Sequence, residues 1–264
     1  MTPTDLASYF ARIGFSSATS LRAETIAALQ PLHRRAIPFE NLDITLGRGI
    51  SLAPEAIFDK LVTARRGGYC FEQNALFLRV LTALGFPARP LLGRVWLTAT
   101  PDDPPPRTHT LILVQADGRD WIADVGFGGA IAPLLPLAEG AVTDAAGITH
   151  ALARDADHGW MLRRNGAAQY SFTEARVWPI DLVQANHFTA TAPQSRFTAG
   201  PLVSRPEPRG LATLTGTRLS APEGETIVAS PADWRRLLSE RFDLALSAEE
   251  VARLGLFPPA TNAG

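Results

Sequence analysis

Cysteine is nearly absent from this 264-residue chain: there is one, Cys70, alongside only two methionines. A single thiol cannot close an internal disulfide, so the fold does not draw on an oxidising compartment. An excess of either charge is absent too. Twenty-five Lys and Arg stand against 26 Asp and Glu, for a formal charge of −1, which excludes the basic surface expected of a nucleic-acid binder. No apolar run reaches the ~20 residues that a membrane-spanning helix needs. The opening MTPTDLASYFARIGF lacks the basic and apolar regions of a secretory leader. The expectation is a cytoplasmic protein with no nucleic-acid or membrane partner. Walker loops and dinucleotide fingerprints are missing. One cysteine and five scattered histidines lack the spacing of metal ligands, so no metal is expected.

What is present is an ordinary apolar fraction of 46%, enough core for one large domain or a few small ones. The hydrophobic period changes along the chain. In the first third it is helical: Leu6, Phe10 and Ile13 share a face, as do Leu21, Ile26 and Leu29, with Pro31 expected to kink or interrupt that second helix. APEAIFDKLVTARRGG opens on Pro54 and ends in glycines, and CFEQNALFLRVLTALGF repeats apolar residues at Phe71, Ala75, Leu78 and Leu81. After Pro87 the period is two. ARPLLGRVWLT, THTLILVQ and DWIADVGF read as strands, the last two joined by the turn ADGRD. WMLRRNGAAQYSF reads as a hairpin turning on Asn165-Gly166, and TATPDDPPPR as a proline-rich surface loop. The last third is mixed: strands in RGLATLTGTRL and GETIVAS, a helix opened by Ser230-Pro231, and a capping pair Ser247/Glu250.

Cys70 therefore stands at a helix N-terminus, directly behind Gly67 and Gly68. A lone cysteine is most often a small buried apolar residue. Its position here also suits a nucleophile. Unpaired N–H groups and the helix dipole favour a thiolate, and the same N–H groups can hold an oxyanion. A base is then required. His109 begins an apolar strand on one face with Leu111 and Leu113, and Asp124 lies in an apolar stretch across the turn. If that hairpin pairs, Asp124 can orient the His109 ring; the alternative is a satisfied core pair without chemistry. His150 and His158 are expected to be exposed, His187 to be a weaker pocket candidate, and His33, beside Arg34 and Arg35, to act as a charge partner at a helix end.

Several separated stretches in the right order resemble the arylamine N-acetyltransferase family: IPFENLDI (37–44), RRGGYCFEQN (65–74), THTLILV (108–114), ADVGFGG (123–129) and SRFTAGPLVSRP (195–206). The resemblance implies an α+β fold of N-terminal helical bundle, central antiparallel β-barrel and C-terminal α/β lid, similar to cysteine proteases and transglutaminases. Its expected parts are residues 1–87 carrying the nucleophile, 88–195 carrying the His and Asp, and 196–264 as the lid. It implies Cys70, His109 and Asp124 as a triad. Acetyl-CoA is the implied co-substrate, met by Thr108, Gly126, Gly128 and Gly129, with no permanently bound cofactor. Phe39 and Phe197 are the implied lining for an aromatic amine, hydroxylamine or hydrazine, and Glu40 with Arg65 a supporting charged pair. The expected enzyme works by two acyl transfers through an acetyl-cysteine, as a monomer or homodimer. An amide synthase closing macrolactams, a transglutaminase-like thiol hydrolase and a binding protein with a relict triad are the competing readings.

Overall fold

The computed structural model describes residues 1–100 and 102–257. Helix α1 (Pro3–Ile13) opens on Thr2, whose hydroxyl accepts from Asp5 N while the Asp5 carboxylate accepts from Thr2 N, and closes on Gly14 in the left-handed conformation. Helix α2 (Ala23–Ala36) runs through Pro31 without interruption. Its buried residues lie on both sides of the proline, Ile26, Leu29 and Gln30 before it and His33 and Arg34 after. Tertiary packing thus offsets one missing backbone hydrogen bond. A two-residue strand β1 (Phe39–Glu40) and short helices α3 (Leu42–Thr45) and α4 (Pro54–Phe58) follow, the last running into a π turn at Asp59–Thr63. Helix α5 starts at Cys70 and ends at Ala83.

The middle of the chain is the strand-rich part expected from its period. β2 (Ala88–Val95), β3 (His109–Ala116), β4 (Arg119–Ala123), β5 (Leu135–Pro136), β6 (Gly140–Thr143), β7 (Thr149–Asp155), β8 (Gly159–Arg164) and β9 (Ala167–Phe172) form one antiparallel sheet in the order β5-β4-β3-β2-β9-β8-β7-β6. It curls into a nearly closed barrel. Leu111, Leu113, Ile122, Leu152, Leu162 and Tyr170 pack inside it. Alternate residues of β3, Ile112 and Val114, face the other way and join the core under α2 and α5. β3 is buried on both faces, which is why its sequence is almost continuously apolar. Asn165 and Gly166 both take positive φ, 47° and 82°, as a type I′ hairpin turn requires.

Helix α6 (Pro179–Thr191) was not apparent from the periodicity. Ile180 and Val183 are exposed on it, as is Trp178 just before it, so it carries no clean apolar stripe; its start is marked instead by Pro179 and by Asp181, which accepts from Trp178 N at 2.8 Å. The stretch read as one strand in RGLATLTGTRL is two, β11 (Gly210–Thr215) and β12 (Arg218–Ala221), because the chain turns at Gly216. With β10 (Leu202–Glu207) and β13 (Gly224–Ile227) they form a second sheet in the order β1-β10-β11-β12-β13. β1 therefore ties the first third of the chain to the last. Helices α7 (Pro231–Phe242) and α8 (Ala248–Arg253) cover this sheet.

Trp234 of α7 is fully buried at the centre of that second core, among Val203, Leu214, Leu238 and Phe242, and its indole N–H donates to Gly216 O at 2.9 Å. Trp234→Ala removes both the packing and the hydrogen bond, and is expected to cost roughly 3–5 kcal/mol in urea unfolding. A loss below ~1 kcal/mol would show that this core does not unfold with the rest of the chain.

Candidate active site

The two glycines before Cys70 are required by close packing. A Cβ on Gly67 would lie 2.4 Å from the Pro38 carbonyl oxygen and 2.6 Å from Glu40 Cγ. The bare backbone instead lies alongside β1: Glu40 N donates to Gly68 O at 3.1 Å and Gly68 N to Pro38 O at 3.3 Å. This turn delivers Cys70 to the first position of α5, 3% exposed, with its Sγ 3.6 Å from Thr108 O.

Charged groups hold the turn from below. Arg66, not Arg65, pairs with Glu40 (2.9 Å) and also reaches Asp43 (3.2 Å). Arg65 takes a left-handed φ of 54° and its side chain goes to the surface, pairing with Asp243. The expected Glu40–Arg65 pair is thus corrected by one residue: successive residues of an irregular turn point to different sides. Lys60, on the π turn, bridges Asp43 and Glu72 at 2.7 Å each. Glu72 in turn accepts from Tyr69 N at 3.1 Å. Burial pushes the Glu72 carboxyl up to about 7 against the opposing pull of Lys60.

His33 is not a surface charge partner. It is fully buried, and burial drives its pKa down to about 3, so the ring is neutral. Its Nε2 lies 2.7 Å from Gln73 Oε1 and its Nδ1 2.9 Å from the Tyr9 hydroxyl. Gln Oε1 only accepts, so Nε2 carries the proton and Nδ1 accepts from Tyr9. The Gln73 amide then donates to Pro38 O (2.8 Å) and Gly68 O (3.1 Å), the same turn. His150 is also buried, 3.2 Å from Asp144, where exposure was expected; Asp144 sits on the loop closing the β6–β7 hairpin, a proximity set by register. His158 is half-buried against Trp96, and His187 is exposed on α6.

His109 and Asp124 meet as the hairpin geometry predicts. β3 and β4 pair with Ile112 opposite Ala123, so the next residue, Asp124, falls opposite Leu111, on the face that His109 shares. His109 Nε2 lies 2.7 Å from Asp124 Oδ2, leaving Nδ1 as the ring nitrogen free to face the thiol. The rings of Tyr170 and Phe127 pack on His109 at 5.0 and 5.5 Å. Burial disfavours the imidazolium, but the charge and hydrogen bond of Asp124, followed by the contact with Cys70, outweigh it and hold the His109 pKa above its ordinary value. Burial likewise disfavours the Asp124 carboxylate; His109, Asn74 and the Gly126 N–H overcome this and hold it low.

Three residues that sequence reasoning did not single out fix Asp124. Asn74, one helical turn after Cys70, donates to Asp124 Oδ1 (3.0 Å) and Thr110 O (2.6 Å) and accepts from Val125 N (3.0 Å). Gln30 on α2 accepts from Asp124 N (3.1 Å) and donates to Ala132 O (2.6 Å). Arg34, also buried on α2, donates to Gly129 O at 3.2 Å and is within electrostatic reach of Asp124, whose charge partly offsets the burial of the guanidinium. The signal for Asn74 was available in its i, i+4 spacing from Cys70; Gln30 and Arg34 gave none, being polar residues on a helix far away in sequence.

The glycines of GFGG are packed against protein. A Cβ on Gly126 would fall 2.7 Å from Cys70 Cα and 2.3 Å from Asn74 Nδ2; on Gly128 it would meet the Phe39 ring at 3.0 Å, and on Gly129 the Phe127 ring at 3.1 Å. Phe39 and Phe197 lie 5.9 Å apart, with Tyr69 edge-on to Phe197 at 5.6 Å, in the same apolar cluster as Cys70. The structure thus brings Cys70, Thr108, His109, Asp124, Phe39 and Phe197 together. An imidazole held between a thiol and a carboxylate, beside free helix-terminal N–H groups, is chemically suited to acyl transfer through sulfur.

Known proteins resemble this chain in sequence and in fold. A family described as N-acetyltransferase matches residues 22–251. An arylamine N-acetyltransferase from Escherichia coli K12 is 44% identical over 216 residues, covering 80% of this chain and 75% of that protein. The structure of an arylamine N-acetyltransferase from Salmonella typhimurium superposes with a TM-score of 0.89 at 34% identity, covering 96% of this chain and 98% of that one. That of Mycobacterium marinum arylamine N-acetyltransferase in complex with CoA superposes at 0.86 with 32% identity, covering 94% and 98%.

The neutral His33 makes stability depend on pH with a definite sign. The folded pKa is depressed to about 3, against ~6.5 in the unfolded chain. Its contribution is present above pH ~6.5 and is lost as pH falls towards 3, because only the unfolded chain takes up that proton. Urea titrations across this window should show a shallower acid slope for His33→Gln, by up to ~1.4 kcal/mol per pH unit. Parallel curves for the two proteins would mean that His33 is protonated in the folded state.

Proposed function

The chain belongs to the arylamine N-acetyltransferase family and is an acyltransferase, and from that premise we propose that it moves acetyl groups from acetyl-CoA to arylamines, arylhydroxylamines or arylhydrazines through an acetyl-cysteine on Cys70. The observation that carries this reading is the 2.7 Å contact between His109 Nε2 and Asp124, which leaves Nδ1 directed to the one thiol in the chain.

In the first transfer His109 holds the proton of Cys70, whose sulfur forms a bond to the acetyl carbon as the donor's carbon–sulfur bond breaks. The N–H groups of Cys70 and Phe71, at the open end of α5, stabilise the oxyanion. His109 then gives its proton to the departing thiolate. In the second transfer His109 takes a proton from the attacking amine, nitrogen bonds to the acetyl carbon, and Cys70 leaves as thiolate. Asp124 keeps the imidazole oriented through both steps. Thr108 and the Gly126–Gly129 loop form the wall that the donor's thioester end meets, a role supported by the Thr108 carbonyl beside Sγ and the packing of Gly126 on Cys70. Phe39 and Phe197 face the aromatic acceptor, supported by their shared cluster with Cys70. In this reading residues 1–87, 88–195 and 196–264 supply the nucleophile, the His–Asp pair and the cover; the division is one of roles, since Ile112 and Val114 share a core with α2 and α5, and Leu42 shares one with α7.

Acetyl-CoA alone, without amine, should add one acetyl group to the intact protein, and peptide mapping should place it on Cys70. Labelling at a lysine, or full turnover by Cys70→Ala, would end this reading. The raised pKa of His109 adds a second expectation. If His109 holds a proton beside Cys70, inactivation by iodoacetamide should persist down to about pH 5–6. His109→Gln and Asp124→Asn should each remove that acidic limb. A single rise centred near the free-thiol value of ~8.5, unaltered in both variants, would show that the pair does not form.

A further inference from the structure

A cavity of about 670 Å³ opens where the second sheet meets the ends of α2 and α7. Four arginines, Arg35, Arg205, Arg209 and Arg241, line it against two glutamates, Glu207 and Glu223. This local excess of positive charge belongs to a chain whose formal charge is −1. Two tight turns form one side. Glu207 pairs opposite Gly210, so Pro208 and Arg209 are the whole loop between β10 and β11. Ala221 pairs opposite Gly224, so Pro222 and Glu223 are the loop between β12 and β13. Each turn opens on a proline with a fixed φ. The two turns pack side by side: a Cβ on Gly210 would lie 3.2 Å from Pro222 Cγ. Arg209 is thus carried on a stiff backbone at the cavity wall.

The charges are unevenly satisfied. Arg241 takes both carboxylates. Its Nε and Nη2 donate to Glu207 at 2.7 Å each, and its Nη1 and Nη2 donate to Glu223, the latter at 3.1 Å. Those bonds hold the Glu223 carboxyl down to about 2, and the charge of Arg209 adds a smaller pull. One guanidinium therefore occupies all four acidic oxygens. Arg35, Arg205 and Arg209 are in no ion pair among the described residues. Arg205 instead caps two helices, Nε donating to Arg35 O at 2.8 Å and Nη1 to Arg241 O at 3.2 Å, in the last turns of α2 and α7. Its Nη2 is left for a ligand. Arg12 stands within reach of Arg205 and shares the single carboxylate of Asp243 with Arg65. Guanidiniums gathered on one cavity repel one another until an anion enters, and they raise its local concentration. Their planar fork matches the oxygens of phosphate and carboxylate groups.

We propose that this cavity binds a compact oxyanion of two or more charges, held by Arg35, Arg205 and Arg209. Its walls come from α2, α7 and both turns of the second sheet, so an anion there ties the helical part of the chain to the C-terminal part. The site is separate from Cys70. Successive residues of a strand face opposite sides. Arg205 of β10 lines the cavity, while its neighbour Ser204 donates to Gly128 O at 2.6 Å in the wall of the active site. Binding here is independent of any acyl transfer at Cys70. Small phosphate compounds and polycarboxylates share the chemistry that the three guanidiniums recognise.

Pyrophosphate and citrate, titrated calorimetrically into the full chain at ionic strength balanced with chloride, separate the two sources. At least one should bind. Pyrophosphate alone assigns the cavity to phosphate compounds, citrate alone to polycarboxylates, and both together to oxyanions of either kind. Arg209→Glu should weaken that binding by about tenfold or more, and Arg35→Ala by less. Arg163→Glu, the same charge change at an exposed position of β8, should leave it unaltered. At about 100-fold excess over Kd the bound anion should raise the Tm of the wild type by roughly 5 °C, and that of Arg209→Glu by less at the same concentration. Binding of neither anion, unchanged affinity in Arg209→Glu, or an equal loss in Arg163→Glu would overturn the proposal. So would protection of Cys70 from iodoacetamide by pyrophosphate that persists in Arg209→Glu, which places the anion in the active site instead.

Discussion

The structure depends on one buried carboxylate. Asp124 is 5% exposed and ionised, and a charge taken out of water must be surrounded by donors. One oxygen accepts from Gly126 N, Phe127 N and Asn74 at 2.8–3.1 Å; the other faces His109. Its own N–H donates to Gln30. The partners come from α2, α5, β3 and the loop after β4, so satisfying this one group fixes how the helical part sits on the sheet. The placing of His109 beside Cys70 is then a by-product of the need to neutralise Asp124.

Helix α5 provides the second half of that constraint. Cys70, Glu72, Gln73 and Asn74 are all buried, an unusual run of polar side chains for the first turns of a helix. Each reaches a different element: Glu72 to Lys60 and Tyr69 N, Gln73 to His33 and the Gly68 turn, Asn74 to Asp124 and Thr110. Gly67 and Gly126 let backbones approach the helix start from two sides, where any side chain would collide. A thiol held so closely on every side keeps one position relative to the N–H groups at the helix start, which is the condition under which oriented dipoles are most effective.

Much of the site was legible because it is written in local patterns. The helix start at Cys70, the period-two strands bearing His109 and Asp124, and the turn between them all follow from spacing, and the hairpin register carried the prediction that the two side chains meet. The ordered motifs resemble the family, and the family match bears that out. The misreadings share one cause. His33 reads in sequence as a charge partner at a helix end and His150 as exposed, but each is buried because another side chain, Gln73 on α5 or Asp144 across the β6–β7 turn, satisfies its ring. Arg65 and Arg66 are indistinguishable as neighbours in RRGG, and only the left-handed φ of Arg65 sends one outward and the other to Glu40.

By itself, then, the sequence determined the kind of chemistry: one thiol at a helix terminus, a histidine and a carboxylate on adjacent strands, and the order helix, sheet, mixed. These depend on hydrogen bonds and side-chain periods spanning a few residues, which local sequence specifies. Only the tertiary structure decided which polar residues support that chemistry. Gln30, Arg34, Lys60 and Gln73 act across separations of 12 to 102 residues. A polar side chain carries no mark of its eventual partner, since water serves equally well in the unfolded chain. The choice is made when burial removes the water and each donor must find the acceptor that packing has brought within reach.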